Sequence, residues 1–262
     1  MPVTILRMMI VKKISIAIIL SALAAAASAG YAYVLQDNAA PQKQIQIQNT
    51  EKKITLGERL EYSVEWLGIP SASAVLSVEG MVDIDGHSCY HIVARGAPNR
   101  FFAKFHNKEY IVHTYIDKDT FCSRRFEKIS RTKTKAKREA FDFKEGSQDI
   151  LSSFYFFRLM DVRPEAEYTV KAYYARRNWL LNIKTQRPFF KEIRKKGVLA
   201  VFEARIKSDL NRYILGQPDV LVYFTADNRR IPIEFKFRSK IGVIRGVLRS
   251  IPANSASPKQ KK

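Results

Sequence analysis

Residues 59–66 read RLEYSVEW, and the order of residue types in that octet decides the fold class. Leu60, Tyr62, Val64 and Trp66 alternate with Glu61, Ser63 and Glu65, the period-two pattern of a strand with one buried and one wet face. Next comes GIPSAS, read as a turn, and then Ala72, Ala74, Leu76 and Val78 repeat the alternation, so a half-buried hairpin is expected. The far end of the chain matches it: Ile231, Ile233, Phe235 and Phe237 alternate with Pro232, Glu234, Lys236 and Arg238, and SKIG turns into VIRGVLRS. Between these hairpins, strand-like runs occupy 87–95, 108–116, 121–129, 167–175, 178–186, 198–207 and 219–224, the spacing of a sandwich or barrel.

One segment departs from that period. SQDILSSFYFFRLM offers Ser147 as N-cap, Asp149 in the first turn, and Ile150, Leu151, Phe154, Phe157 and Leu159 at helical spacing. The fold expected is mainly β: a curved antiparallel sheet forming a partly open β-barrel, with one short helix packed against it. Trp66 and Trp179 are assigned to its core.

The N-terminus sets the destination. Arg7, Lys12 and Lys13 precede an apolar run from Ile14 to Ala27 that ends in Ala27-Ser28-Ala29, the pattern of an export signal cleaved after Ala29. An uncleaved anchor is the alternative, because no charge falls between Lys13 and Asp37, and the stretch Ile14 to Leu35 spans about 33 Å as a helix. Four parts result: a signal or anchor at 1–29, a polar, glutamine-rich spacer at 30–53, a β-barrel-like domain at 54–252, and a loose basic tail at 253–262.

Lysine and arginine outnumber aspartate and glutamate 45 to 25, a formal net charge of +20, so long-range attraction favours anionic partners. Export removes nucleic acid from the candidates and leaves anionic lipid, glycolipid or acidic envelope polymer, with peripheral membrane contact among the options. One cationic run is SRTKTKAKRE at 130–139, where Arg131, Lys133, Lys135 and Lys137 alternate with Thr132, Thr134 and Ala136. Read as one strand, it carries all four cations on one face: either a docking surface for anions or a solvated edge guarded against aggregation.

Three segments carry a family resemblance. GERLEYSVEWLGIPSASAVLSVEG from Gly57, DILSSFYFFR from Asp149 and TADNRRIPIEFKFRSKIGVIRGVL from Thr225 resemble the opening, middle and closing signatures of a bacterial exported family, the domain of unknown function numbered three-one-zero-eight. The likeness covers most of residues 54–251. It implies a secreted or periplasmic open antiparallel β-barrel, similar to envelope proteins of the capsule-operon and lipoprotein-carrier kind, and it brings no catalytic residues. The central hairpin differs, for an acidic residue and a glycine usually make that turn and ISRTKTKAK stands there instead.

No nucleophile elbow, P-loop, HExxH or dinucleotide-binding glycine pattern is present, and no cofactor is expected. His87, Cys89 and His91 share one strand face but lack a further ligand at recognisable spacing, so no metal is assigned. Asp83, Asp85, Asp117 and Asp119 read as turn residues, with paired-carboxylate chemistry left open. Cys89 and Cys122 fall on strands separated by a third, about 9–10 Å apart, beyond disulfide reach, and are read as free thiols. These readings converge on non-catalytic binding of an anionic amphiphile whose tail enters the barrel. A tightly filled interior would instead favour an assembly factor acting through protein or glycan contacts.

Overall fold

The computed structural model describes residues 54–105, 107–143, 146–174, 177–193, 197–209, 219–239 and 242–250. The expected signal or anchor, spacer and C-terminal tail lie outside the described residues. The strands are β1 (Arg59–Trp66), β2 (Ile69–Ile84), β3 (His87–Pro98), β4 (Glu109–Asp117), β5 (Ser123–Arg131), β6 (Ala136–Asp142), β7 (Glu167–Tyr174), β8 (Arg177–Thr185), β9 (Phe189–Ile193), β10 (Gly197–Lys207), β11 (Asp219–Thr225), β12 (Pro232–Ser239) and β13 (Gly242–Leu248). A short 3-10 helix, Phe102–Lys104, interrupts the β3–β4 connection, and α1 (Ile150–Leu159) follows β6.

All thirteen strands belong to one antiparallel sheet in the order β6-β5-β4-β3-β2-β1-β13-β12-β11-β10-β8-β7, with β9 paired to β10. The first and last hairpins of the domain are neighbours: β1 pairs β13 from Tyr62 opposite Leu248 to Trp66 opposite Ile244. The sheet curls but does not close: among the described residues β6 and β7 end the main strand order, and β9 forms a further short edge beside β10. It is the partly open barrel with one packed helix that the alternation predicts.

The β1–β2 turn is tighter than GIPSAS suggests. Trp66 pairs directly with Ile69, so only Leu67 and Gly68 make the turn, with φ of 51° and 81°. Two positive φ angles give the hairpin turn whose twist suits the flanking strands. Asp85 and Gly86 repeat the device between β2 and β3, at φ 52° and 81°.

The buried face of β1 is the predicted one: Leu60, Tyr62 and Val64 are fully enclosed. Trp179 is core as well, while Trp66 is only half-buried and packs against Phe102. Helix α1 lies against the concave face, with Phe154 and Phe157 both within 6.0 Å of the Phe224 ring. The barrel interior is therefore occupied by aromatic side chains.

The helix cap differs from expectation. Asp149, not Ser147, is the N-cap: its backbone is extended, and its carboxylate accepts the amides of Leu151 at 2.6 Å and Ser152 at 3.0 Å. The Ser147 carbonyl is engaged by the Ser123 amide and the Gln148 carbonyl by the Tyr173 amide, which holds the chain extended through residue 149. Asp149 also accepts the hydroxyls of Thr114 and Ser123, so one buried carboxylate joins α1 to β4 and β5. Burial raises its pKa, although all four hydrogen bonds favour the charged form.

The other end of α1 is latched by charge. Arg158 donates to both oxygens of Glu58, at 2.7 and 2.6 Å, and to the Arg229 carbonyl. Arg230 in turn donates to the carbonyls of Arg158 and Met160, closing the last turn of the helix onto the β11–β12 connection.

Candidate functional site

The cations of 131–137 do not form a stripe. The chain turns back at this point: the Thr132 amide donates to the Lys135 carbonyl at 2.7 Å, and the Lys135 amide donates to the Thr132 hydroxyl at 3.1 Å. A threonine able to satisfy backbone groups locally competes with strand continuation, and here it wins. Arg131 thus ends β5 and pairs with Glu109 at 2.6 Å, while Lys137 sits in β6 and pairs with Glu139 at 2.7 Å. Ala136 lies opposite Arg131 and Ser130 opposite Lys137, so those two cations point to opposite faces. Only Lys133 and Lys135 stay together, exposed on the turn. The hairpin is nonetheless made, without an acidic residue and glycine.

Among the described residues, one concavity lies where the β6 and β7 edges approach. Phe126 opposite Phe141 and Lys128 opposite Glu139 put four side chains of the β5–β6 pair on the inner face. Phe143, Tyr173 and Tyr174 complete a cavity of about 200 Å³. Tyr173 meets Phe141 at 6.1 Å and Phe143 at 5.5 Å, both edge-on, the geometry that ring quadrupoles favour. Lys128 Nζ donates to the Tyr174 hydroxyl at 3.2 Å and lies 5.4 Å from the centre of that ring. The edges are thus joined by side chains. Chemically the pocket offers aromatic walls, one ammonium and one carboxylate, suited to binding a ring or short apolar group with a charged end.

Sequence reasoning did not find this pocket. The usable signal was EAFDF, whose Phe141 and Phe143 alternate just after the cationic run, together with the Tyr173–Tyr174 pair. Their meeting across the seam depends on the curl of the whole sheet.

A smaller cavity of about 130 Å³ beside the helix latch is lined by Tyr155, Arg158, Asn228 and Arg229 among others. Its charge is internally matched, Arg158 by Glu58 and Arg229 by Asp227 at 2.5 Å.

The remaining candidates separate in space. His91 Nε2 lies 3.0 Å from His113 Nδ1, and its ring stacks on Tyr115, whereas His87 turns to Arg124 at 3.1 Å and Asp117 at 3.3 Å. Burial lowers the pKa of both His91 and His113. Among the described residues no group of three or more histidine, cysteine or acidic side chains is placed to hold a metal ion. Cys89 and Cys122 are free thiols, and burial pushes Cys89 up to about 11, with the charge of Asp117 adding to it.

The aspartates do turn work. Asp83 accepts the Gly86 amide, and Asp117 accepts those of Asp119 and Thr120 at 3.0 Å each. Burial would raise Asp117, but those amides and the Arg124 guanidinium outweigh it and hold the carboxyl at about 2.

A comparison with curated proteins finds no match. Among solved structures the chain is similar to a β-barrel-like protein of the domain of unknown function DUF1849 from Brucella abortus, at 11% identity and a TM-score of 0.44, over 74% of this chain and 95% of that one. The family model described as "Protein of unknown function (DUF3108)" matches residues 61–147 and 130–249, and the chain belongs to that family.

Proposed function

We propose that this is an exported, non-catalytic binding protein of the cell envelope whose seam pocket takes the ring or short apolar end of an anionic amphiphile. The observation that carries the reading is the aromatic cavity of about 200 Å³ with Lys128 in its wall. The ligand enters between β6 and β7 and not the barrel interior, since Phe154, Phe157 and Phe224 fill that space. Lys128 meets the anionic group while Phe126, Phe141 and Tyr173 enclose the apolar part. Export is supported by Arg7, Lys12, Lys13 and the run to Ala29.

The test is calorimetric titration of short-chain alkyl phosphates into wild type and Lys128→Gln. Saturable binding that weakens about tenfold in the variant is expected for loss of one charge-assisted contact. An absence of saturable heat refutes the reading. The filled interior favours a second one, an assembly factor contacting protein or glycan through the edge strands β6 and β7. Under that reading alkyl phosphates do not bind, and charge reversal on the outer face of β6 abolishes capture of its partner.

A further inference from the structure

The antiparallel order puts the β1–β2, β3–β4 and β5–β6 connections at the same end of the sheet, side by side. With strands about 4.8 Å apart, successive connections are separated by about 10 Å. The first two expose large apolar side chains: Leu67 is 58% accessible, Ile69 57%, Phe101 60% and Phe105 44%. The third exposes Lys133 and Lys135.

The apolar tips are held out by a built support. Asn99 donates to the Pro70 carbonyl at 2.6 Å, and its own side-chain oxygen accepts the Phe102 amide, tying the 3-10 helix to the first hairpin. Phe102 turns inward against Trp66 at 6.0 Å. Phe101, edge-on to Phe102 and Phe105, is thereby left facing out.

The charge on these three connections has one sign, and the acidic Asp209 and Asp219 lie at the β10–β11 connection, beyond β13 and β12 along the sheet. Residues 66–69, 99–108 and 132–135 contain Arg100, Lys104, Lys108, Lys133 and Lys135 and no acidic residue. The acids that flank them are engaged, Glu109 by Arg131 and Glu65 by Arg245. Exposed apolar side chains on several separate loop tips among cations fit a soft, anionic, apolar-cored surface better than one protein groove.

We propose that these three adjacent connections form a docking rim for anionic phospholipid bilayers: Leu67, Ile69, Phe101 and Phe105 enter the headgroup boundary while the five cations meet lipid phosphates. The rim is separate from the seam pocket and stands whether or not that pocket binds a ligand. It lies opposite the Glu58–Arg158 latch, which sits where β1 begins, so its variants leave the fold intact.

The experiment is co-sedimentation of the full chain with phosphatidylglycerol–phosphatidylcholine vesicles against phosphatidylcholine alone. Phe101→Ser with Phe105→Ser should lower partition about tenfold, through lost apolar area. Lys133→Gln with Lys135→Gln should lower it about fivefold per charge at low salt, an effect that 1 M salt, with a Debye length of about 3 Å, removes. The N-terminal segment is common to all variants, and insertion is followed separately with brominated lipid. Phe101→Trp should add quenched indole emission over wild type, and Phe190→Trp, at a similarly exposed site toward the far end of the sheet, should not. No vesicle binding, equal binding to neutral lipid, both loop variants binding as wild type, or an unquenched indole at 101 would each overturn the proposal.

Discussion

Replacing Arg158 with methionine tests how the helix is held in the barrel. Arg158 and Glu58 are each only 8% exposed and meet through two bonds of 2.7 and 2.6 Å, across 100 residues of sequence. The guanidinium also lies 5.0 Å from the centre of the Tyr155 ring and satisfies the Arg229 carbonyl. Methionine keeps most of the volume but leaves Glu58 buried with the Tyr155 hydroxyl as its remaining partner in this network. Stranding one member of a buried pair costs about 3–5 kcal/mol, a large share of a domain's stability of roughly 5–15. At a urea dependence of about 2–3 kcal/mol per molar, the unfolding midpoint should fall by about 1–2 M. Adding Glu58→Gln removes the stranded charge, and the double variant should recover at least half of the loss. A loss below about 1 kcal/mol for Arg158→Met, or a double variant no better than the single one, refutes the latch.

Gly246→Ala should destabilise by about 1–3 kcal/mol, because its Cβ would stand 1.9 Å from Phe235 Cζ in the core; an unchanged melting temperature would show that the ring does not lie over this backbone. Asp149 has a folded pKa raised by burial above its unfolded value, so its contribution is complete below the ordinary carboxylate pKa and is lost as pH rises through the raised one. Asp149→Asn should remove that loss, and parallel stability–pH curves for the two proteins would contradict it. Native protein should alkylate at half-buried Cys122 and not at buried Cys89, and unfolding without reductant should release a second thiol; a linked Cys89–Cys122 peptide would overturn the strand order between them.

What the sequence reveals depends on whether neighbours or distant strands decide a residue's place. The alternation in 59–66 is legible because Leu60, Tyr62 and Val64 face a filled core while Glu61 faces water. β9 escapes notice for the opposite reason: Phe189 and Phe190 are 37% and 64% exposed, and Ile193 is its one buried residue. Cations alternating with Thr132, Thr134 and Ala136 read as a wet strand, although the same residues also suit a turn with flanks. The choice falls to the Thr132 hydroxyl and to Glu109, which lies on another strand. Ser147 and Asp149 are both good caps by type, and the Tyr173 amide, from an edge strand beyond the helix, selects between them. The seam pocket joins Phe141 to Tyr173 through the curl of the sheet, which no local pattern encodes.

The seam also bears on how the β6 edge is guarded against pairing with another strand. The outward face of β6 carries Arg138, paired with Glu127, and Asp142, paired with Arg125, so a strand approaching this edge meets fixed charge of both signs. Its inward face carries Phe141, which is drawn to Tyr173 by apolar burial. One strand is thus guarded outside and adhesive inside. Closing the β6–β7 seam by rings, with an isolated backbone bridge from Gln148 and Asp149 to Tyr173 in place of a full ladder, also makes it cheaper to open than the rest of the sheet. Ring contacts of this kind contribute about 0.5–1.5 kcal/mol each beyond area, and parting them leaves the β5–β6 and β7–β8 ladders intact. Under the proposed reading, entry of a ligand between β6 and β7 would then require no unfolding of the barrel, and the Asp149 node would keep α1 fixed to β4 and β5 while the edges part.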